Sequence, residues 1–167
     1  MRARYLLPLL GLLGLLAACS LPPVNVPIQD ADVRLVNTAG QVALVKVAHD
    51  PLPAGHLVGV RVFGEASFDS AQSLSLTFFA TTDVSNCSVN GDYAVCPEDQ
   101  VTQVGDTLTF NNEAGPKKFA LDRNTDVLAE GLNNGNLYVG ARVDGGALGQ
   151  AVLHLRNMYA EVRLALP

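Results

Sequence analysis

Apolar and polar residues alternate in short runs along most of the chain after residue 30. In one run the apolar positions are Val58, Val60 and Val62, with Arg61 and Glu65 on the other face. A second run has Leu74, Leu76 and Phe78 on one face, between serine and threonine. Because successive side chains of a β-strand point to opposite faces, these runs predict strands with one buried face each.

Further runs of this kind are separated by turn-forming clusters rich in Gly, Asn, Asp and Pro; they cover residues 33–37, 42–48, 107–111, 119–121, 137–143, 151–156 and 160–166. About 8–10 short strands at this spacing predict an all-β fold, an antiparallel β-sandwich of immunoglobulin-like or jelly-roll-like type. We expect at most one short helix, over residues 124–133, with Asn124, Thr125 or Asp126 as its cap and Gly131 near its end.

The apolar phase changes near the end of the chain. Leu153 and Leu155 occupy odd positions, whereas Val162, Leu164 and Leu166 occupy even ones. A single regular strand buries only one of these two sets. We therefore predict a bulge or bend near Arg156 and Asn157.

Composition places this fold in one domain. The chain has 167 residues, of which 49% are hydrophobic and 16% charged, and this length suits a single core. Removal of Arg2 and Arg4 with a signal peptide leaves 9 of the 11 basic residues against 16 acidic ones, a balance of −7. Since nucleic-acid binding needs clustered Lys and Arg, we expect no nucleic-acid partner.

The first 18 residues are typical of a secretory signal peptide. Arg2 and Arg4 precede an apolar run over residues 5–16, which ends at the small pair Ala17 and Ala18. At 1.5 Å per residue this run is about 18 Å long as a helix, too short for the hydrocarbon core of a bilayer. A positive start, a short apolar run and small residues before a cut site predict cleavage and export.

Residues 16–19, Leu-Ala-Ala-Cys, resemble the lipobox of bacterial lipoproteins. The resemblance covers residues 1–19 only. It implies cleavage before Cys19, a diacylglyceryl group on the sulfur of Cys19, and a further acyl chain, such as palmitate, on the freed amine. The bilayer is then a partner of this residue, no other cofactor is expected, and the protein belongs to the bacterial cell envelope. Ser20 is similar to the outer-membrane sorting pattern where the cell has two membranes.

Prolines follow the lipobox. Residues 20–27 contain Pro22, Pro23 and Pro27, a density that favours an extended polyproline-like chain. We therefore divide the protein into a signal peptide (1–18), a lipidated cysteine with a Pro-rich tether (19–29) and a sandwich domain (30–167). A tether of eight residues would hold the domain about 25 Å from its anchor.

The other two cysteines are predicted to pair. Cys87 and Cys96 flank the turn dipeptide Asn90-Gly91, with Val and Tyr on either side, which predicts a hairpin. A loop over residues 90–93 sets the two cysteines opposite each other, whereas a tight turn at Asn90-Gly91 sets Cys87 opposite Ala94. In an oxidising compartment the first arrangement forms a disulfide.

Metal-binding patterns are weak. The residues that resemble the start of a calcium loop are Asp122, Asn124 and Asp126, but Val127 and Asn133 stand where that loop needs Gly and Glu. A solvated turn and helix cap is the preferred interpretation. The three histidines, His49, His56 and His154, have neither His-x-His spacing nor a nearby free thiol.

No motif of nucleophilic catalysis is present in the sequence, because there is no Gly-x-Ser-x-Gly. We expect a non-catalytic binding or structural module of a cell-surface assembly, whose partner is another envelope protein. One alternative is a metal-binding or redox enzyme that uses the three histidines. Another is a sugar- or peptide-binding module, for which Tyr93, Tyr138 and Tyr159 are the available aromatic side chains.

Overall fold

The protein folds as an all-β antiparallel sandwich. The computed structural model describes residues 22–52, 56–146 and 151–165. Within this part of the chain there are eleven strands: β1 Val24–Pro27, β2 Ala31–Arg34, β3 Gln41–Lys46, β4 His56–Ser67, β5 Gln72–Thr81, β6 Ser88–Asn90, β7 Tyr93–Pro97, β8 Thr102–Glu113, β9 Lys117–Leu121, β10 Tyr138–Gly146 and β11 Val152–Ala165. One α-helix, α1, spans Thr125–Asn134, and one turn of 3₁₀ helix spans Glu98–Gln100.

The strands form two layers that meet at one corner. The first sheet contains β1, β2, β11, β4 and β9, and the second contains β8, β5, β10, β3, β7 and β6. A single pair, Gly105 with Leu121, joins β8 to β9. Across the interior the ring of Phe78 stacks on that of Phe119, with centroids 4.8 Å apart. One apolar core therefore lies between the two sheets.

The alternation in β5 and most of β4 is confirmed. Leu74, Leu76 and Phe78 are all buried, as predicted. Val58 is different, because its side chain is 60% exposed. The pairing of β4 with β11 shifts register between Arg163 and Leu164, which leaves Val58 as an extra residue and puts Leu57 on the buried face instead.

The predicted irregularity in β11 is confirmed at Asn157. The register against β4 shifts between Arg156 and Tyr159, and Asn157 has a φ of 52°. Before this residue Leu155 is buried, and after it Ala160 and Val162 are buried. One extra residue thus lets a single strand bury both the odd and the even apolar sets.

The single helix lies close to the predicted position. Asn124 is the N-cap residue in a left-handed conformation, but its side-chain amide donates to the carbonyl of Gln103 at 2.8 Å and does not cap the helix. Gly131 lies near the end of the helix, as expected. It is buried inside the helix against Leu137, and Gly135, with a φ of 62°, is the C-cap.

The hairpin disulfide between Cys87 and Cys96 is confirmed, with Cα atoms 4.4 Å apart. Asn90 pairs with Tyr93, the register that was predicted to set the two cysteines opposite each other. The bond lies beside a second apolar cluster on the outer face of the second sheet, which includes Leu44, Phe79 and Tyr138. It therefore fastens the segment before β6 over this cluster.

The predicted tether is wrong in its second half. Val24–Pro27 form β1, which pairs with β11, and Val26 and Ile28 are buried in the core. The sandwich therefore begins at Val24 and not at residue 30. The predicted signal peptide and Cys19 lie outside the described residues. No helix in the described part of the chain is long and apolar enough to cross a membrane.

Candidate functional site

An apolar row crosses the outer face of the first sheet. Pro27 of β1 pairs with Tyr159 of β11, which pairs with Phe63 of β4, which pairs with Ala120 of β9. The rings of Phe63 and Tyr159 stack with centroids 5.4 Å apart and an angle of 26° between their planes. Tyr159 is 38% exposed and Pro27 is also exposed. An exposed tyrosine and a half-buried phenylalanine thus stack side by side on the outer face of this sheet.

The bulge at Asn157 explains why Tyr159 faces outward. Leu153 and Leu155 point into the core, so a regular strand would turn every odd position inward, including 159. The extra residue reverses this phase. Two hydrogen bonds hold Asn157 in this conformation. Its backbone N–H donates to Asp30 at 3.0 Å, and its side-chain amide donates to Glu65 at 2.9 Å.

The aromatic pair borders a shallow concavity of about 280 Å³. Its polar wall is formed by Glu65, Lys118 and Asn157, and its apolar wall includes Phe63 and Tyr159. Glu65 and Lys118 are directly opposite each other on β4 and β9. The concavity therefore combines aromatic surface with a carboxylate, an amide and an ammonium group.

A charged cluster lies on the same face, on the β2 side of the bulge. Nδ1 of His154 donates to Asp32 at 2.8 Å, and Arg156 donates to the same carboxylate at 2.6 Å. The hydrogen bond from His154 is the main cause that lowers the pKa of Asp32, and burial opposes it, while the bond and charge of Arg156 lower the pKa further. Nε2 of His154 is 3.0 Å from Asp69, but their alignment makes no hydrogen bond, so this buried nitrogen has no hydrogen-bond partner.

The three histidines do not share one site. His154 pairs with Ser67 at one end of the β4–β11 ladder, and His56 pairs with Ala165 at the other. Eleven positions of a strand separate these two pairs, or about 36 Å at 3.3 Å per residue. His49 lies in the segment that pairs with Ile28 beside β1. A single metal centre built from all three histidines, which the redox alternative requires, is therefore contradicted by their placement.

The calcium-like residues lie where β9 leads into α1. Asn124 is the helix cap, its amide is bonded to Gln103, and Asp126 lies in the first turn of the helix. Asp122 is exposed just before them. Among the described residues no group of three or more His, Cys, Asp or Glu side chains is arranged to hold a metal ion.

Of the three predicted tyrosines, Tyr159 alone combines an exposed ring with the aromatic concavity. Tyr138 is buried in the cluster beside the disulfide. Tyr93 donates its hydroxyl to the backbone carbonyl of Arg34 at 2.7 Å, and burial raises its pKa. Tyr93 also lines a larger depression of about 560 Å³ between the edges of the two sheets, where Asp32, Arg34 and Val89 form other parts of the wall.

Comparison with family models, curated proteins and solved structures gives no match for this chain. The candidate site therefore depends on its own geometry. Sequence reasoning identified Tyr159 but missed Phe63. Phe63 lies at an odd position between Arg61 and Glu65, which were both assigned to the outer face, so the alternation already contained the signal.

Proposed function

We propose that this chain is a lipid-anchored protein of the bacterial cell envelope whose sandwich is a non-catalytic binding module. The lipobox-like residues 16–19 support the anchor. The observation that carries the binding role is the stacked pair of Phe63 and Tyr159 on the outer face of the first sheet. The partner we propose is another envelope protein.

The physical case for binding is the cost of exposed aromatic surface. Large apolar side chains in contact with water gain free energy when a partner covers them, and Tyr residues are frequent among those that dominate interface energetics. The charged groups beside the pair, Glu65 and Lys118, provide a polar rim of both signs. Because the rings lie on paired strands, little conformational entropy is lost when they are covered.

Site-specific photo-crosslinking in cells tests the proposal. A photoreactive phenylalanine analogue replaces Tyr159 in the full chain, and the matched control carries it at Val89, which is 48% exposed in the short strand β6 of the second sheet. We expect one discrete protein adduct from position 159 that is lost in a Phe63→Ala background. Adducts of equal yield from both positions, or none from 159, would contradict the binding role.

The anchor is tested separately with Cys19→Ser. The wild-type chain should fractionate with membranes and carry acyl chains on the peptide that begins at Cys19, as measured by mass spectrometry. The serine variant should carry no acyl chain and should keep residues 1–18, because the lipobox resemblance makes cleavage depend on the lipidated cysteine. An unmodified mature thiol at Cys19 would refute the lipoprotein assignment and leave the crosslinking result unaffected.

A second candidate function is recognition of a glycan. The concavity beside Tyr159 supports it, because an aromatic wall combined with a carboxylate and an amide suits a sugar ring with its hydroxyl groups. Calorimetric titration of the mature chain with soluble peptidoglycan fragments tests this candidate. Binding that Tyr159→Ala abolishes and Tyr138→Phe leaves intact would support a glycan ligand, and no heat of binding would exclude these fragments.

A further inference from the structure

The start of β1 places the sandwich very near its proposed anchor. Val24 pairs with Val162, so the strand ladder begins five positions after Cys19. Residues 20–23 alone connect the two, and a fully extended chain spans at most about 3.3–3.6 Å per residue, or about 17 Å in total. The end of the sandwich at which β1 begins is therefore confined to the membrane surface.

The structure assigns a membrane-docking role to this end of the sandwich, with the exposed valines Val24 and Val58 in contact with the lipid headgroup region. The inference rests on the proposed lipid anchor and specifies how the anchored domain is oriented. Val24 is 40% exposed and Val58 is 60% exposed, and both are among the most exposed large apolar residues of the described chain.

Strand register brings these valines to the same end. Val24 is level with Val162 on β11, and Val162 is level with Val60 on β4. Val58 is the extra residue between the next two pairs of this ladder, Gly59 with Arg163 and Leu57 with Leu164. The extra residue of a bulge can be polar when it faces water. Here it is a valine, which provides apolar surface where the chain would meet the bilayer.

The charged residues that line the pocket beside Val58 balance each other, two of each sign. A shallow pocket of about 220 Å³ beside Val58 is lined by Arg61 and Arg163, but also by Asp122 and Glu161. Basic residues near an anionic leaflet are attracted to it, and acidic residues are repelled. We therefore expect the docking to depend on the apolar contact and to change little with the fraction of anionic lipid.

Docking fixes the direction of the candidate binding surface. The strands of the first sheet then run away from the membrane, and Tyr159 lies four residues along β11 from Arg163, about 13 Å at 3.3 Å per residue. The apolar row of Pro27, Tyr159 and Phe63 consequently stands above the headgroups and faces sideways. A partner would reach it from along the membrane surface.

Tryptophan fluorescence offers a direct test, because the sequence contains no tryptophan. The acylated mature chain, which begins at Cys19 and carries Val58→Trp, is reconstituted in vesicles of phosphatidylcholine with brominated acyl chains. The control is Gly115→Trp, in the turn between β8 and β9 at the opposite end of β4, where an added Cβ meets no atom within 4 Å.

We expect the Val58→Trp protein to lose about half of its emission, since a ring at the headgroup and acyl boundary lies within reach of the bromines. The Gly115→Trp protein should keep its emission, and replacing part of the lipid with anionic phosphatidylglycerol should alter neither result. Vesicle-bound protein with equal quenching at both positions overturns the docking while the anchor stands. Failure of the wild-type chain to stay with the vesicles overturns the anchor, and the docking inference with it.

Discussion

Deletion of Asn157 should be tolerated, although this residue lies in the middle of β11, which pairs with strands on both sides. Asn157 is the extra residue of the bulge, so its removal gives β11 one regular alternation from Leu153 to Val162. Met158 would then lie opposite Gly64. It is already close to that place, because a Cβ built on Gly64 would be 2.9 Å from Cγ of Met158.

The magnitude follows from what is lost and gained. The deletion removes the exposed hydrogen bonds of Asn157 to Glu65 and Asp30, worth about 0.5–1.5 kcal/mol each. It also removes a non-glycine residue from the left-handed region, which relieves up to about 1–2 kcal/mol of strain. We expect the free energy of unfolding to fall by about 1 kcal/mol, and by about 3 kcal/mol at most if no strain is relieved.

Deletion of Glu161 is the matched control. It leaves the bulge in place but turns Val162, which is fully buried, out to solvent and moves Arg163 into its position. The exposed valine costs about 1.5–3 kcal/mol, and an unpaired buried guanidinium costs more. Since the whole stability of a domain is about 5–15 kcal/mol, the Glu161 deletion should leave little folded protein.

The assay is equilibrium unfolding in urea of the two deletion variants, each in a chain that begins at Ser20 and so lacks both the apolar run over residues 5–16 and Cys19. Midpoint and slope give the free energy of unfolding for each protein. If the two deletions destabilise the domain equally, the account of β11 as two phases joined by one extra residue is wrong. The account would also be contradicted if a second deletion, of Asn157, restored the stability of the Glu161 deletion variant.

Three further outcomes are expected. The pKa of Asp32 is lowered from 3.8 in the folded state, so its ionised form stabilises the protein above pH 3.8, and this contribution is lost as the pH falls through the folded pKa. Asp32→Asn should therefore flatten the acid limb of a profile of unfolding free energy against pH. Added salt should reduce the difference in unfolding free energy between the wild type and this variant. Replacement of both Cys87 and Cys96 by serine should lower the free energy of unfolding by about 2–3 kcal/mol, as measured in urea with and without reductant. Gly140→Ala should prevent folding as judged by circular dichroism, because its Cβ would lie 2.7 Å from Cα of Leu44, whereas Gly145→Ala, with no atom within 4 Å, should be neutral.

Local alternation was sufficient to predict much of the sandwich. Each strand with one buried face shows its pattern within a few residues, as around Leu76, and the change of phase in β11 showed where a bulge was needed. The disulfide was also predictable, because a hairpin fixes which residues are opposite each other from the loop length alone. These features depend on neighbours that are near in sequence.

Features that depend on distant pairing were missed. The prolines of residues 22–27 were interpreted as a tether. However, β1 lies at the edge of the sheet, and an edge strand accepts a proline such as Pro27 at a position where the backbone N–H would face solvent. The alternation of Val24, Val26 and Ile28 was the available signal. The exposure of Val58 depends on the register of β4 against the end of β11, which no local pattern records.

Asn157, the extra residue of the bulge, affects both the packing of the core and the candidate site. The bulge that allows β11 to bury Leu155 and Val162 also turns Tyr159 outward, into the same row as Phe63. If deletion of Asn157 has the small effect that we expect, a domain with a regular β11 is about as stable as one with the bulge. The deletion would instead change the binding surface, because the side-chain amide of Asn157, which donates to Glu65, is part of the wall of the concavity. An Asn157 deletion that folds normally but loses the crosslink from position 159 would therefore assign the bulge to binding and not to folding.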